Sequence, residues 1–455
     1  MTEINPTSVA TQMATAAVQP LQTLLSTQSK TAQDTSSALT KLQSALRAFD
    51  SALLGLSGKK SLVQYSATFG ATGFGTATAS AGAQPGTYSL FVEQVATAHQ
   101  VSYANLPTVP VPVQPASLLA IQVSGTSFNV DFGTADTDAD GNLSQAEIAR
   151  AINQASGNQG KVNAVIVTVS GQTQLMLSAG STGASSAISL DTTNLSGGLK
   201  TYFDTTPATT LAAPQDAIVW MGAQNTGVKL QQASNTFTAI PGVTMTFTQA
   251  QAAGAAPLTL TVAGDDSATA ANVRGFVDAY NTLKKALDDL TNVGDAEKGA
   301  AAAAFATDAG VRTLRSRLNS LIRQNVGGLR IMDFGISADR DGNLSLDSAK
   351  LQKGLAAHPG GLDTVFGSAS PTAKSGVLGS LDTYLDVWLN SGTGQIKRRQ
   401  DSVQNRQKVI NTRQTQLDQQ YTNYYNRYLQ QFSRLQSLQA QMSDTANMFA
   451  NLGGN

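Results

Sequence analysis

The sequence predicts an α+β protein in which long terminal coiled-coil helices and a helical region carry a β-rich domain, with a second β-rich α+β domain inserted into it. Apolar residues recur every three or four positions near both ends, and apolar and polar residues alternate through the middle. The 455 residues are too many for one compact core. The predicted boundaries are 1–38 for a disordered terminal segment, 39–61 for an N-terminal coiled-coil helix, 62–105 with 211–266 for a proximal β-rich domain, 106–210 for the inserted domain, 267–392 for a helical region with a β-hairpin, and 393–455 for a C-terminal coiled-coil helix.

The N-terminal part of the chain changes character near Leu39. The preceding residues are mostly Thr, Ser, Gln and Ala, which bury too little apolar surface to offset the entropy lost on ordering. We therefore predict that residues 1–38 are disordered in isolation. Beyond them, apolar residues recur at the spacing of a coiled-coil seam. The predicted interface residues of this helix are Leu39, Leu42, Leu46, Phe49 and Leu53.

The middle of the chain has the alternation expected of half-buried strands, as in "TYSLFVEQV" and "VTMTFT". Ser170 and Gly171 lie between two alternating runs and predict a hairpin turn. Two proline-containing stretches, "LPTVPVPVQPA" and "TTPATTLAAP", predict a pair of connectors. We therefore expect residues 106–210 to form a domain inserted into the proximal one.

Helical spacing returns after this β-rich part, for example in "VRGFVDAYNTLKKALDDL". Asp341 and Gly342 then lie between alternating apolar positions and predict a second hairpin. Asp347 follows the hairpin and is the expected N-cap of another helix.

The C-terminal helix carries apolar columns with a seven-residue period, which predicts a coiled-coil seam. Gln400, Gln407 and Gln414 accompany the first half of the seam, so we expect that half to pack less tightly or to face a polar groove. The predicted interface residues of the two columns are Ile396, Val403, Ile410, Leu417, Tyr424, Tyr428, Leu435, Met442 and Phe449.

A column of arginines runs beside this seam. Such a column is typical of a solvated flank, and two sharper interpretations are recognition of an acidic partner and contact with nucleic acid. The electrical neutrality of the whole chain makes nucleic acid the weaker of these two. The column, which only Gln420 interrupts, consists of Arg399, Arg406, Arg413, Arg427 and Arg434.

Composition excludes several classes of function. Thirty acidic residues balance thirty basic ones, which argues against a whole-protein field that attracts nucleic acid or an anionic membrane. The chain has no cysteine, and His99 and His358 are isolated and expected at the surface. No stretch is long and apolar enough to cross a membrane. No catalytic or phosphate-binding motif is present, so the sequence predicts neither an enzyme nor a cofactor.

One motif that suggests chemistry is "DTDADGNLSQAE" at residues 136–147, which has the oxygen-ligand spacing of an EF-hand calcium loop. Under that interpretation the ligands are Asp136, Asp138, Asp140, Asn142 and Glu147. The alternative is a turn rich in Asp and Gly that leads into a helix capped by the S-x-x-E box of Ser144 and Glu147. The sequence leaves both interpretations open.

Several segments, in this order along the chain, resemble the bacterial flagellar hook-associated protein 2 family of filament-capping proteins. They combine helical termini with an inserted β-rich middle, and the resemblance covers nearly the whole chain. The segments are "GAQPGTYSLFVEQVATAHQV" at 82–101, "SNTFTAIPGVTMTF" at 234–247, "NVRGFVDAYNTLKKALDDLT" at 272–291, "FGISADRDGNLSLDSAKL" at 334–351 and "RYLQQFSRLQSLQAQMSDTANMF" at 427–449.

The resemblance implies a secreted, extracellular, non-enzymatic assembly factor at the tip of the bacterial flagellum. Members of such a family form a ring-like homo-oligomer that helps exported flagellin to fold into place. The implied partners are other copies of the chain, flagellin, the hook-filament junction protein and an export chaperone. By analogy, the two terminal seams meet each other or those of neighbouring subunits.

Other classes remain as alternatives. Another axial flagellar component, such as the junction protein or flagellin, shares coiled termini, but the start of this chain lacks the usual motif of those families. A coiled-coil surface adhesin is a further alternative, and the sequence leaves open whether the inserted domain also binds host surfaces.

Overall fold

The structure, a computed structural model, describes residues 5–112, 117–169, 171–295 and 297–452, with side chains up to residue 449. The chain divides into a helical unit, Met1–Val63 with Asp266–Asn455, and a β-rich unit, Gln64–Asp265. The α+β class is confirmed, and the β-rich unit interrupts the helical one in the chain. The α-helices are α1 (Pro6–Ser57), α2 (Gln145–Gln154), α3 (Gly197–Thr205), α4 (Asp266–Thr291), α5 (Ala309–Ile322), α6 (Ser348–Ala357), α7 (Gly361–Phe366), α8 (Gly376–Leu389) and α9 (Gln395–Leu452).

The strands are short and lie mostly in the β-rich unit. They are β1 (Tyr65–Phe69), β2 (Gly75–Ala79), β3 (Gly86–Gln94), β4 (Gln100–Ala104), β5 (Val109–Pro110), β6 (Leu118–Val123), β7 (Thr126–Asp131), β8 (Asn142–Leu143), β9 (Val162–Val169), β10 (Gln172–Ala179), β11 (Ser189–Asp191), β12 (Thr209–Ala212), β13 (Ala217–Met221), β14 (Val228–Gln232), β15 (Thr236–Phe237), β16 (Val243–Phe247), β17 (Leu258–Gly264), β18 (Ile336–Ala338) and β19 (Leu344–Leu346).

The first helix begins much earlier than predicted. The Oδ1 of Asn5 accepts hydrogen bonds from the N–H groups of Thr7 and Ser8, which caps α1, and the helix then continues to Ser57. The prediction of disorder over residues 1–38 is therefore wrong from residue 5 onward, and residues 1–4 lie outside the described residues. The physical reason is tertiary, because an apolar heptad column extends towards the N-terminus, where Val18, Leu25 and Ala32 are buried with Ile410 and Leu417 of α9. The buried column is Val18, Leu25, Ala32, Leu39, Leu46 and Leu53.

The base of α1 packs into the core of the helical unit. The ring of Phe49 lies 6.4 Å from that of Phe276 and 6.3 Å from that of Tyr280, both on α4. The predicted second hairpin is present as β18 and β19, which pair antiparallel. Asp347 caps α6 as expected, since its Oδ1 accepts hydrogen bonds from the N–H groups of the second and third residues that follow it.

The β-rich unit contains two hydrophobic cores. One is enclosed by a five-stranded sheet of order β1-β17-β3-β13-β14 and a three-stranded sheet of order β15-β16-β2. The other lies among a four-stranded sheet of order β12-β4-β10-β9, a three-stranded sheet of order β11-β6-β7, and helices α2 and α3. This second core belongs to the inserted domain.

The predicted boundaries of the inserted domain are too narrow. Strand β4 pairs with β10 and with β12, and it buries Val101 and Tyr103 in the inserted domain's core. Residues 106 and 210 therefore lie inside the domain rather than at its edges. The two segments that connect the inserted domain to the proximal one meet instead at Thr97, whose N–H donates to the carbonyl of Gln215 at 3.0 Å.

Two further sequence-based predictions concern residues of the inserted domain. Strands β9 and β10 form the predicted hairpin, although Ser170 lies outside the described residues. His99 is buried rather than exposed, and burial lowers its pKa. Its Nδ1 accepts a hydrogen bond from the N–H of Ile188 at 2.8 Å, so the ring joins the second core to a loop.

Candidate interface of the two-helix stalk

Helices α1 and α9 run antiparallel and form a two-helix element that we call the stalk. Two amide pairs show the register: Gln414 Nε2 donates to Gln22 Oε1 at 3.0 Å, and Gln400 Nε2 donates to Gln43 Oε1 at 3.2 Å. A residue late in α9 therefore lies beside a residue early in α1. The two terminal seams thus meet each other within one chain.

The predicted seam residues of α9 fall into two groups. Ile396, Ile410 and Leu417 are buried, and Val403 and Tyr424 are half-buried against the same cores. On α1, the predicted residues Leu39, Leu42, Leu46, Phe49 and Leu53 are all buried. These residues hold the helical unit of a single chain together, so their sequence pattern is explained without a second subunit.

The first half of the stalk packs loosely on one side, as the glutamine column predicts. Gln400 and Gln407 line a groove of about 700 Å³ together with Ala32 and Ser36 of α1. Small and polar side chains at these positions cannot fill the space between two helices as leucines do. The groove therefore follows directly from the sequence of the seam.

The far end of α9 exposes its apolar column. Leu435, Met442 and Phe449 are 45%, 66% and 72% exposed, and Tyr428 is half-buried. Among the α9 side chains that the structure describes, none beyond Leu417 is buried. The pairs of Gln22 with Gln414 and of Gln43 with Gln400 place the first residue of α1 opposite about residues 430 to 437 of α9. The last part of the column therefore has no α1 segment among the described residues to cover it.

The arginines of the column make different contacts according to their position along α9. The guanidinium of Arg399 makes two hydrogen bonds to Asp308, at 2.6 and 3.0 Å, and lies over the ring of Trp388. Burial raises the pKa of Asp308, but the hydrogen bonds from Arg399 and from backbone N–H groups outweigh it, and the pKa is lowered. Arg427 lies over the ring of Tyr424 at 5.1 Å. Arg406 and Arg413 are exposed.

A cluster of three carboxylates around one lysine lies where α1 meets α8. Lys374 Nζ lies 2.5 Å from Asp382 and 2.8 Å from Asp386, and Asp50 of α1 faces the same group. Burial, a hydrogen bond to Asp382 and the charges of the two neighbouring carboxylates raise the pKa of Asp50 to about 6. No pattern in the sequence indicates this cluster, because Asp50 lies more than 300 residues before the other three members in the chain.

The calcium-like loop is organised as a capped turn. Glu147 Oε2 accepts from the N–H and hydroxyl of Ser144, and Oε1 accepts from the N–H and hydroxyl of Thr137. The guanidinium of Arg150 lies 3.3 Å from the same carboxylate. These donors use the glutamate that would have to bind calcium in bidentate fashion. Of the five predicted ligands, the carboxylates of Asp136, Asp138 and Glu147 come within 4.8 Å of one another.

We therefore expect calcium to leave the melting temperature of the full chain unchanged, and Glu147→Gln to lower it. Hydrogen bonds from Thr137 and Ser144 hold the pKa of Glu147 well below its usual range. Their stabilising effect is present at neutral pH and is lost as the solution is acidified below the pKa of the unfolded state. Differential scanning calorimetry with and without millimolar calcium measures both effects.

The matched control is Asp138→Asn, which removes a calcium ligand but leaves the capping box intact. A calcium-dependent rise in melting temperature that Asp138→Asn abolishes would contradict the capped-turn interpretation.

None of the helices in the described part of the chain combines the length and the hydrophobicity needed to cross a bilayer.

Two family models match the chain. The model of the flagellar hook-associated protein 2 N-terminus matches residues 2–99, and that of its C-terminus matches residues 215–444. The unmatched residues between them include β4 and β12 and correspond to the inserted domain as the structure delimits it. The two matches together thus cover residues 2–63 and 266–444 of the helical unit and the proximal part of the β-rich unit.

Whole proteins give the same result. The chain is 36% identical over 456 residues to the lateral flagellar hook-associated protein 2 of Vibrio parahaemolyticus, with 99% of this chain and 100% of the relative covered. It is 31% identical to the B-type flagellar hook-associated protein 2 of Pseudomonas aeruginosa, over 77% and 76% of the two chains. Among solved structures, the D1-D2-D3 domains of the Escherichia coli flagellar cap protein FliD align with a TM-score of 0.62 at 25% identity, over 80% of this chain and 99% of that one. The chain therefore belongs to the flagellar hook-associated protein 2 family, the family of flagellar filament caps.

Proposed function

We propose that several copies of the protein assemble at the extracellular tip of the flagellar filament, where they promote the folding and incorporation of exported flagellin and prevent its loss. Membership of the cap family supports the location and the general role. The observation that carries the proposed assembly is the exposed apolar column at the end of α9. Exposed apolar side chains in register every seven residues are typical of a helix that packs against a partner.

The proposed partners are other copies of the chain, flagellin, the hook-filament junction protein and an export chaperone. The protein acts as a structural assembly factor and not as an enzyme. The partners would have to meet surfaces that one chain leaves open, and the end of α9 is such a surface. Leu435, Met442 and Phe449 are the residues that we assign to this contact.

The role is tested by deleting the gene and restoring it. We expect the deletion strain to grow short filaments or none and to release flagellin monomers into the medium, and the restored gene to reverse both effects. Flagellin in the medium is measured by immunoblot and filament length by electron microscopy. Filaments of normal length without released monomers would contradict the cap role.

The contact residues are tested by Leu435→Asp combined with Met442→Asp. Burial of each large apolar side chain contributes about 1.5 to 3 kcal/mol, so loss of both should reduce assembly by more than about tenfold. Because both positions are exposed in the single chain, the helical content and melting temperature should not change. Native mass spectrometry of the purified protein measures the assembled fraction.

The matched control is Arg434→Gln, an exposed neighbour on the same stretch of helix. Assembly and filament capping that both survive in the double Asp variant would rule out this contact.

A further inference from the structure

The stalk is strongly basic although the chain as a whole is neutral. Helices α1 and α9 together carry eleven Lys and Arg residues and five Asp residues, a net charge of +6. The remaining residues balance this charge. The basic part of the stalk would therefore repel the same part of a second copy at close range, whereas it would attract an acidic helix.

The two sides of the stalk differ in chemistry. In α1 and in α9 alike, the flank of the helix on which a residue lies follows from its distance to the nearest seam residue. A residue three positions before a seam residue lies on one flank. A residue three positions after a seam residue, or one position before a seam residue, lies on the opposite flank. The amide pairs between Gln22 and Gln414 and between Gln43 and Gln400 show that like flanks of the two helices lie on the same side. We call this side the glutamine side and the opposite one the arginine side.

The base of the stalk is the end formed by the C-terminal part of α1 and the N-terminal part of α9. There, the arginine side is already occupied by the chain's own helices. Phe49, three positions after Leu46, packs on Phe276 of α4. Arg399, three positions after Ile396, forms its two-point ion pair with Asp308, the N-cap of α5. The base therefore shows what this side of the stalk accommodates, namely a helix that supplies apolar side chains and a carboxylate.

Farther along, the same side is open. Arg406 and Arg413 lie one and two heptads beyond Arg399 in the same column, and neither forms an ion pair with a described residue. Across from Arg413 on α1, Leu21 and Leu24 are 40% and 50% exposed.

Val409 of α9, which is 51% exposed, lies on this side between the two arginines. No Asp or Glu occupies an arginine-side position of α1 or α9 along this open part. Cationic and apolar side chains are thus exposed together, without the carboxylate and the helix that complete the base.

We propose that the open arginine side of the stalk binds an acidic amphipathic helix of a partner protein. This partner helix lies along α1 and α9, beyond the part of the arginine side on which the chain's own helices pack. Its carboxylates pair with Arg406 and Arg413 as Asp308 pairs with Arg399, and its apolar face covers Leu21, Leu24 and Val409. Because the basic flank of a second stalk would be repelled, the helix that occupies this surface belongs to another protein. This is consistent with the proposed role at a tip where foreign subunits arrive.

The test uses the full chain and two synthetic helical peptides of about 20 residues with the same apolar face. One peptide carries Glu at two positions seven residues apart, and the other carries Lys at those positions. Fluorescence anisotropy at about 50 mM salt should show binding of the Glu peptide and none of the Lys peptide. Arg406→Gln combined with Arg413→Gln should weaken binding about tenfold, and less at about 1 M salt.

Matched variants separate the site from general attraction. Arg434→Gln, in the same column but beyond the open site, should bind the Glu peptide like the unaltered chain, whereas Leu24→Asp should weaken binding. Circular dichroism verifies that each variant is folded. Equal binding of the Lys peptide, unchanged binding by the double Gln variant, or equally tight binding of an unfolded Glu-rich peptide would overturn the proposal.

The biological meaning of this docking surface rests on the proposed function at the filament tip, whereas binding of the peptide does not. Peptide binding is measured without filaments, so failure of the cap role and failure of the docking surface give separate results.

Discussion

Replacing Leu46 with Asp is expected to unfold the helical unit of the chain rather than only to weaken association between copies. Leu46 has no exposed surface and lies in the core that α1 forms with α4. Removing a buried leucine costs about 2 to 5 kcal/mol, and placing a carboxylate in the space adds a desolvation penalty. We expect loss of more than about 4 kcal/mol of the free energy of unfolding, measured by urea denaturation followed by circular dichroism.

The control is Leu54→Asp on the same helix, since Leu54 is 39% exposed. It should change the free energy of unfolding by less than about 1 kcal/mol. A Leu46→Asp chain that unfolds at the same urea concentration as the unaltered chain would mean that Leu46 does not lie in this core.

Asp50→Asn is expected to stabilise the helical unit at neutral pH. The pKa of Asp50 is raised from 3.8 to about 6, chiefly by burial and then by the hydrogen bond to Asp382 and the charges of Asp382 and Asp386, which Lys374 offsets in part. Between these two pH values the folded chain holds a proton that the unfolded chain has released. Its stability therefore falls as the pH rises from about 4 to about 6 and stays lower above that range.

The asparagine variant carries no charge at this position and should lack that pH dependence. Complete burial would make the difference about 3 kcal/mol, but Asp50 is partly exposed and solvent screening reduces the expected gain at pH 7 to about 1 kcal/mol. Urea denaturation at a series of pH values between 4 and 7 measures the effect.

Asp34→Asn is the matched control, because Asp34 lies on the same helix, is exposed and pairs with Lys30. Its stability should follow that of the unaltered chain within about 0.5 kcal/mol. A parallel pH dependence in the Asp50→Asn variant and the unaltered chain would assign the effect to other groups.

Local patterns predicted much of the fold. The seven-residue columns of α9, the alternation in β9 and β10, and the Asp347 cap all depend on neighbours within a few residues, which the sequence displays directly. The capping box of Ser144 and Glu147 is equally local. The order of the segments also indicated the family, because each segment keeps its place relative to the others.

The sequence by itself thus determined the α+β class, the C-terminal helix, the part of the N-terminal helix from Leu39 onward, the hairpins and the groove beside Gln400. The tertiary structure alone decided that α1 begins by residue 6, that β4 and β12 belong to the inserted domain, and that Arg399 is paired while Arg406 and Arg413 are not. The physical reason is that burial and ion pairing depend on contacts between distant segments. A polar helix such as the first half of α1 is stabilised by the partner that covers its few apolar residues, and that partner lies about 400 residues away in the chain.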